Sequence, residues 1–277
     1  MDPRSKSPVR GGARVDHEHG SPASIYHHVA ITGAAGAIGG AIARAMRAAW
    51  PSCELALIDR EVAPLAALAR ELGGVTQLCA ADLRDLDALP ALVDGLGALD
   101  GLVNCAGVMK IQRLSTWRWS DARDLLAIDL LAPLRLQDLV CRGMVEQRHG
   151  VIVNIASIAG RVPLRGGAYY GASKAGLAMA SEIARADLAA HHVRVVTVYP
   201  GPVTSALEAG ARADYGGGGF FGRFAPTGDA GTLAKKIMHA IETDQPRVIY
   251  PRLYRASWAA TNLASWFALA YGPPPVT

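Results

Sequence analysis

The chain has 277 residues, of which 51% are hydrophobic and 19% are charged, and its formal net charge at pH 7 is +4. This length and apolar content suit one folded domain with a large buried core. The small positive excess lies partly in the first 28 residues and predicts no nucleic-acid-binding surface. Four scattered cysteines without Cys-x-x-Cys spacing indicate neither a disulfide framework nor a metal site, so we expect reduced thiols in a cytoplasmic protein.

Residues 1–25 are expected to form a disordered tail. Prolines and glycines stand among charges there, and the apolar surface is too small to order the segment. The tail has no apolar stretch of the kind that a secretion signal needs. His17, His19, His27 and His28 are irregularly spaced, and we interpret this histidine-rich segment as solvated rather than metal-binding.

Seven apolar, strand-like runs alternate with helical stretches over residues 26–250, which we interpret as the catalytic domain. Continuous apolar strands joined by helices predict one doubly wound, Rossmann-type parallel sheet with helices on both faces, that is, an α/β fold. The longest helices are expected at residues 120–147 and 169–191. The predicted strands are residues 29–32, 55–58, 75–80, 99–104, 150–155, 193–199 and 247–250.

A turn of small residues follows the first predicted strand and precedes a helix. Such a turn lets the backbone approach a pyrophosphate, whose charge the N-terminus of the helix favours. We therefore expect Gly33, Gly36, Ile38 and Gly39 to bind a dinucleotide. The glycine spacing departs from the standard dinucleotide pattern, so a turn that only packs the helix on the strand remains an alternative.

Asp59 ends the second predicted strand, about 20 residues beyond the glycines, where an acidic side chain accepts hydrogen bonds from the adenosine ribose. A carboxylate at this position repels a 2′-phosphate, so NAD is the expected cofactor and NADP the less favoured one. Arg60 follows directly, and its guanidinium offers a competing contact for a phosphate.

Tyr170 and Lys174 stand one helical turn apart, and Ser157 follows the fifth predicted strand. A phenol with a pKa near ~10 is a poor base at neutral pH, and an ammonium at i+4 favours its ionised form. Ser157 then holds the oxygen of an alcohol or carbonyl while Tyr170 exchanges the proton. A packed tyrosine beside a solvated lysine is the alternative for the pair taken alone.

These motifs, in this order, resemble the classical short-chain dehydrogenase/reductase family. The segment from Thr32 to Gly39 matches its Thr-Gly-x-x-x-Gly-x-Gly pattern, except that Ala37 replaces the middle glycine, and residues 104–107 resemble its Asn-Asn-Ala-Gly. The resemblance implies interconversion of a secondary alcohol and a ketone, with hydride transfer to or from nicotinamide. It also implies a homodimer or homotetramer, catalysis by Ser157, Tyr170 and Lys174, and cofactor contacts from Tyr170, Lys174, Asp82, Leu83, Asn104, Ala106, Gly107, Pro200 and Val203.

Asp129 stands where the family has a fourth catalytic residue, an asparagine that is held to anchor a water beside the lysine. An aspartate keeps two acceptor oxygens, loses the amide donors and adds a charge. This charge is expected to stabilise the Lys174 ammonium and to cancel part of its pull on the Tyr170 proton. We therefore predict an active enzyme with an altered pH profile; a catalytically weak nucleotide-binding sensor or scaffold protein is the alternative.

The substrate is expected to be an apolar alcohol or ketone. Its walls are predicted at residues 109–114, 158–165 and 206–226, and the last of these resembles a mobile lid. A surface loop whose rings pack on the body is the alternative, and Arg161 and Arg165 offer contacts for an acidic group on a substrate. The lid contains Gly216, Gly217, Gly218 and Gly219, followed by Phe220, Phe221 and Phe224.

Residues 251–277 form an aromatic extension that includes Trp258, Trp266 and Phe267. The stretch is too short and too interrupted to predict a membrane span. It is expected to pack on the body or on a partner subunit, and peripheral contact with a membrane surface is the alternative.

Overall fold

The computed structural model describes residues 25–215, 227–272 and 275. The expected N-terminal tail up to residue 24, and the part of the expected lid at residues 216–226, lie outside the described residues.

One parallel sheet of seven strands organises the described chain, in the order β3-β2-β1-β4-β5-β6-β7. Each predicted strand is present, with ends that differ by one or two residues at most, so the predicted doubly wound α/β fold is confirmed. The strands are β1 His28–Thr32, β2 Glu54–Asp59, β3 Thr76–Ala80, β4 Gly101–Asn104, β5 Gly150–Ile155, β6 Val193–Pro200 and β7 Arg247–Tyr250.

The helices connect the strands and cover the sheet. The stretch predicted at residues 120–147 is continuous but has three parts, because a π-helical turn, Ala127–Leu131, joins α4 to α5. The described helices are α1 Ala37–Ala49, α2 Val62–Leu72, α3 Leu89–Leu96, α4 Trp119–Leu126, α5 Ala132–Gln147, α6 Ala168–Leu188, α7 Ala206–Asp214, α8 Ala230–Glu242, α9 Tyr254–Ala259 and α10 Thr261–Tyr271.

Two apolar cores lie on opposite faces of the sheet because successive strand residues point to opposite sides. In β1, Val29 and Ile31 join the core that contains Ile42 of α1, while Ala30 joins the core that contains Leu136 of α5. Burial of one such Leu or Ile side chain stabilises a fold by about 1.5–3 kcal/mol. Both faces are therefore mainly apolar, and the polar residues that the sequence singles out lie at or beyond the ends of the strands.

The strand order reverses between β1 and β4, since the chain returns from β3 to the other side of β1. In open α/β sheets this reversal creates a crevice at the carboxyl ends of the strands. Thr32 pairs with Asn104 at the end of β1 and β4, and Thr32 pairs with Ile58 on the other side. The glycine-rich turn, Asp59 and Ser157 therefore emerge at the same edge of the sheet.

The C-terminal helices α9 and α10 follow β7. Trp258 of α9 packs edge-on against Tyr199 of β6, with ring centroids 4.5 Å apart. The Arg161 guanidinium lies 4.1 Å from the centroid of the Trp258 ring, which is within cation–π range. Among the described residues, no helix combines the length and the apolar character required to cross a membrane.

Candidate active site

A cavity of about 920 Å³ opens at the carboxyl edge of the sheet. It brings together the residues that the sequence singled out from eight separate segments, with Asn104 as the exception. The predicted residues that line it are Gly33, Gly36, Ile38, Gly39, Asp59, Asp82, Leu83, Ala106, Gly107, Asp129, Ser157, Tyr170, Lys174, Pro200 and Val203.

The turn after β1 is packed so closely that side chains are excluded at two positions. Gly33 has φ +67°, and a Cβ atom there would lie 2.7 Å from the Ala106 Cα; a Cβ atom on Gly39 would overlap the Gly33 carbonyl oxygen. Ala37, in contrast, is exposed at the start of α1, so its methyl group fits without a clash. The first turn of α1 carries no acidic residue, which suits an anion at its N–H groups.

Thr32 ties the end of β1 to the segment that follows β4. Its Oγ1 accepts hydrogen bonds from the backbone N–H groups of Cys105 and Ala106, at 3.0 Å and 3.1 Å. Ala106 and Gly107 are thereby held beside the glycine-rich turn. The cradle formed in this way has the narrow, side-chain-free backbone that a dinucleotide pyrophosphate requires.

Asp59 faces the same turn from the end of β2. Its Oδ2 accepts a hydrogen bond from the Ala35 N–H at 3.0 Å, and its Oδ1 accepts one from the Arg60 N–H at 2.7 Å. Each carboxylate oxygen has a further lone pair, so both stay available to ribose hydroxyls. The Arg60 side chain is 71% exposed and lies 3.9 Å from Glu61.

Asp82 lines the cavity but is engaged with a neighbour. The Arg84 guanidinium donates to both oxygens of Asp82, and it lowers the pKa of that carboxyl to about 2. Arg84 also lies 3.3 Å from Asp124 at the start of the long helical stretch. Asp82, Arg84 and Asp124 therefore pair with one another at this end of the cavity.

Asn104 supports the site from beneath and its side chain does not reach the cavity. Its Nδ2 donates to Asn154 Oδ1 at 2.8 Å and to the Pro133 carbonyl at 3.3 Å. Asn154 in turn donates to Ser181 of α6 at 2.8 Å. This buried polar network links β4 and β5 to α5 and α6, and so positions α6 beneath the site.

Ser157, Tyr170 and Lys174 meet at the centre of the cavity. Ser157 Oγ accepts a hydrogen bond from the Ala159 N–H at 3.1 Å and donates one to the Pro200 carbonyl at 3.4 Å. Ser157 also lies close enough to Tyr170 to lower the pKa of that phenol. Lys174 Nζ donates to the Ile155 carbonyl at 3.2 Å and lies 6.0 Å from the centroid of the Tyr170 ring. All three residues are buried, with relative exposures of 4–7%.

Burial raises the pKa of Tyr170 above its ordinary value, while Lys174 and Ser157 act in the opposite direction. Asp129 adds to the increase. Lys174 lowers the pKa of Tyr170, as expected from the sequence. The loss of hydration on burial is the larger effect, however, so the pKa of Tyr170 is raised overall. The phenol therefore carries its proton at neutral pH.

Asp129 lies fully buried within the π-helical turn, directly beside the lysine. Its Oδ1 accepts a hydrogen bond from the Val108 N–H at 2.7 Å. Its Oδ2 lies 3.3 Å from Lys174 Nζ and accepts no hydrogen bond in the described part of the chain. A Cβ atom on Gly107 would lie 3.2 Å from Lys174 Nζ, so the glycine leaves room for the pair.

The two charges act on each other's ionisation. Burial alone would lower the pKa of the Lys174 ammonium, but Asp129 raises it above the ordinary value. Burial raises the pKa of the Asp129 carboxyl, and Lys174 opposes that increase. The pair as a whole has no net charge, so less positive potential acts on Tyr170 than an unpaired lysine would supply.

Several residues of the cavity were not anticipated from the sequence. Trp117 packs against Tyr169 with ring centroids 5.0 Å apart. Its position depends on the loop before α4, in which the hydrophobic residues follow no helical or strand period. Gly201 was a usable sequence signal that another part of the chain packs closely against this loop. A Cβ atom at position 201 would lie 2.6 Å from the Tyr254 ring. The unanticipated lining residues include Trp117, Asp121 and Asp124. Tyr254, Ser257 and Ala268 also line the cavity and belong to the C-terminal segment that was expected to pack on the body or on a partner subunit.

Arg161 and Arg165, considered as contacts for an acidic substrate, are engaged with the C-terminal segment. Arg161 stacks on Trp258, and Arg165 Nη1 donates to the Gly272 carbonyl at 2.8 Å. Neither arginine lines the cavity, whereas their neighbours Val162, Pro163 and Leu164 do. Within the described residues, no group of His, Cys, Asp or Glu side chains is arranged to hold a metal ion.

The fold and the site together define a Rossmann-type oxidoreductase that uses a dinucleotide. A family model described as short chain dehydrogenase matches residues 27–216, and the chain belongs to this family. It is 31% identical over 188 residues to carbonyl reductase family member 4 of Xenopus tropicalis, an alignment that covers 67% of this chain and 79% of the relative.

Solved structures of the family are similar over most of the chain. A metagenomic short-chain oxidoreductase in complex with NADP has a TM-score of 0.66 and 32% identity, and the match covers 80% of this chain and 96% of that one. A 3-oxoacyl-[acyl-carrier protein] reductase from Brucella melitensis with bound NAD has a TM-score of 0.70 and 26% identity, with 83% and 90% covered. The chain is therefore an oxidoreductase that acts on alcohol or carbonyl groups with a nicotinamide dinucleotide.

Proposed function

We propose that the chain interconverts hydrophobic secondary alcohols and ketones with NAD(H), and that Tyr170 is the acid/base. The observation that carries this proposal is the convergence of the buried residues Ser157, Tyr170 and Lys174 on one cavity. In reduction, Tyr170 gives its proton to the substrate oxygen as the carbonyl carbon is reduced; in oxidation, it takes that proton back.

Ser157 and Lys174 support this proton transfer. The Ser157 hydroxyl donates to the substrate oxygen and keeps it within reach of the phenol. Lys174, fixed by the Ile155 carbonyl, holds the nicotinamide ribose and lowers the cost of forming the phenolate. The bound cofactor supplies hydride to the carbonyl carbon, or accepts it from the alcohol carbon.

The walls of the cavity support an apolar substrate. Met109, Val162, Leu164, Leu207 and Tyr215 surround the space beyond Ser157. Apolar lining with a few convergent polar groups is typical of sites that select a hydrophobic ligand and orient one polar atom. The chain therefore binds the bulky part of a ketone by burial and its oxygen by hydrogen bonds.

The preference for NAD over NADP rests on the charge balance at the adenosine end. Asp59 is held by two backbone N–H groups and presents negative charge where a 2′-phosphate would lie. Arg84 is committed to Asp82 and Asp124, which leaves it unsuited to a phosphate. Relatives are known with either cofactor, so the side chains of this chain decide the preference.

Asp129 is proposed to act on the reaction through Lys174. By neutralising the ammonium it keeps Tyr170 protonated to higher pH, which favours ketone reduction near neutrality. A catalytically weak sensor or scaffold protein of the same fold is the competing function. The presence of Ser157, Tyr170 and Lys174 together in one cavity favours the enzyme.

We also propose a homodimer or homotetramer that is located in the cytoplasm. Exposed apolar side chains on the long helical segments, among them Leu131, Met179 and Ile183, suit contact with a second copy. All four cysteines are unpaired, as is usual for a reducing compartment. Light scattering of the purified chain tests the assembly, and a monomer at micromolar concentration would contradict it.

A panel of lipophilic secondary alcohols and ketones, assayed with NAD(H) and with NADP(H), tests the proposed function. We expect turnover that increases with the apolar size of the substrate and is more efficient with NAD(H). Nucleotide binding without turnover of any panel member, measured by quenching of intrinsic fluorescence, would favour the sensor instead.

A further inference from the structure

The C-terminal helix α10 has its large apolar side chains on the outside. Leu263, Trp266 and Leu269 are 66%, 58% and 55% exposed, whereas the small residues Ala264 and Ala268 lie closer to the body. A helix that faces water normally has the opposite arrangement, with its polar residues outside. The outer face of α10 is therefore built to contact an apolar phase.

The charged residues within the C-terminal segment itself have one sign. Residues 251–272 contain no aspartate or glutamate, and Arg252 and Arg255 are exposed on and before α9. The rings of Trp266, Phe267 and Tyr271 cluster, with centroids 5.0–6.5 Å apart. Exposed aromatic rings beside arginines are typical of protein surfaces that lie at the interface of an anionic membrane.

The inner side of the same segment belongs to the cavity. Tyr254 and Ser257 of α9 and Ala268 of α10 line it, together with the catalytic Ser157 and Tyr170. The two helices therefore separate the cavity from the exposed aromatic face. Attachment of the protein to a membrane by this face would bring the cavity close to the lipid in which apolar ketones dissolve.

We propose that the C-terminal surface, formed by Arg252, Leu253, Arg255, Leu263, Trp266 and Leu269, docks on an anionic lipid bilayer and takes apolar substrate from it. The supply of substrate rests on the proposed function, whereas docking does not. A second copy of the chain fits this surface less well. A symmetric dimer would place two copies of the same patch in one interface, and the four arginines would then have no acidic residue of residues 251–272 to pair with.

Flotation of the purified full chain with lipid vesicles tests the docking. Vesicles of phosphatidylserine and phosphatidylcholine in equal parts are compared with vesicles of phosphatidylcholine alone. We expect binding to the anionic vesicles, a loss of about tenfold in the Leu263→Ser, Trp266→Ser double variant, and a loss of about fivefold for each arginine in Arg252→Gln and Arg255→Gln. The matched control is Val62→Ser, Val75→Ser, which changes two equally exposed apolar residues at the far side of the sheet and should bind as the parent does.

A second measurement separates docking from catalysis. Turnover of a long-chain ketone dissolved in anionic vesicles should fall in the Leu263→Ser, Trp266→Ser variant, while turnover of a water-soluble ketone stays at the parent level. Absence of turnover with both ketones in the parent would end the proposed function and leave vesicle binding to be judged by flotation.

Two results would overturn the docking proposal. One is a parent chain that does not float with anionic vesicles while it turns over the soluble ketone. The other is a Leu263→Ser, Trp266→Ser variant that binds vesicles as the parent does but has a smaller mass in light scattering. This result would show that the C-terminal surface contacts a second copy of the chain rather than a membrane.

Discussion

The buried pair of Asp129 and Lys174 has the largest chemical consequence at the scale of single residues. Two charges 3.3 Å apart and almost without exposure interact far more strongly than a surface pair would. Because Lys174 also lies beside Tyr170, the state of the pair decides how readily the phenol loses its proton. We infer that the pair links a single sequence departure to the pH dependence of the reaction.

Asp129→Asn is predicted to shift the pH dependence of turnover to lower pH. Removal of the negative charge lets Lys174 favour the phenolate, so the pKa of Tyr170 falls. Alcohol oxidation increases and ketone reduction decreases as the pH rises through the pKa of Tyr170. Both changes should therefore occur about one pH unit lower in the variant than in the parent. Asp138→Asn, which removes an exposed acid from α5, is the control. Superimposable profiles of Asp129→Asn and the parent would refute the proposed role of this residue.

Asp59→Ser is predicted to raise the NADP-to-NAD preference by about tenfold, equivalent to about 1.4 kcal/mol. The serine removes the charge that opposes a 2′-phosphate and leaves the neighbouring backbone N–H groups free to donate. Dissociation constants for both nucleotides, measured by fluorescence without substrate, are the readout, and Glu61→Ser is the control. Tighter binding of NADP than of NAD by the parent would contradict the account of the adenosine end.

At the scale of elements, the contact between the β1–α1 turn and the segment after β4 forms the nucleotide cradle. Thr32 joins the two segments, and the glycines at positions 33 and 39 allow the backbones to meet. The same turn tolerates an alanine at position 37 because that side chain points away from the contact. Position within the turn, rather than glycine content, thus decides which residues are replaceable.

Gly39→Ala is predicted to weaken nucleotide binding by at least about tenfold and to destabilise the fold by about 1–3 kcal/mol, because its methyl group would displace the Gly33 carbonyl. Ala37→Gly restores the family pattern and should change the dissociation constant by less than about threefold. Calorimetric titration with NAD and thermal unfolding test both variants. Equal affinities in Gly39→Ala and the parent would show that the turn adapts.

Strands could be predicted closely from the sequence because each is a continuous apolar run between turn residues. The π-helical turn at Ala127–Leu131 could not, since an extra residue in a helix leaves the apolar pattern nearly unchanged. Asn104 was expected to contact the cofactor, but its side-chain amide donates to Asn154 instead. The sequence does not show this partner, because Asn154 is brought opposite Asn104 by the pairing of β4 with β5. The proposed catalytic residues Ser157, Tyr170 and Lys174 could be found in the sequence because they lie close together along the chain. Trp117 and Tyr254, in contrast, reach the cavity only through the tertiary fold.

At the scale of the whole molecule, the C-terminal helices connect the cavity to the exterior. Trp258 holds α9 by its contacts with Tyr199 and Arg161, and Arg165 holds the end of α10 at Gly272. The substrate space is therefore closed by a segment that is anchored at few points. Local opening of such a segment requires less free energy than global unfolding.

Trp258→Ala is predicted to loosen α9 and α10 and to change the free energy of global unfolding by only about 1 kcal/mol. Amide hydrogen exchange should become faster in residues 251–272 and stay unchanged in the strands. Leu253→Ala, which removes a highly exposed side chain from the same segment, is the control. Unchanged exchange in Trp258→Ala would mean that other contacts hold the segment.

The most direct test of the central claim compares Tyr170→Phe with the parent in one preparation, by NAD binding and by turnover of the best substrate in the panel. A phenyl ring fills the same space without a proton to exchange, so the account predicts nucleotide affinity within about twofold and turnover reduced by about 10²–10⁴-fold. Turnover at the parent level in Tyr170→Phe would contradict the assignment of this phenol as the acid/base.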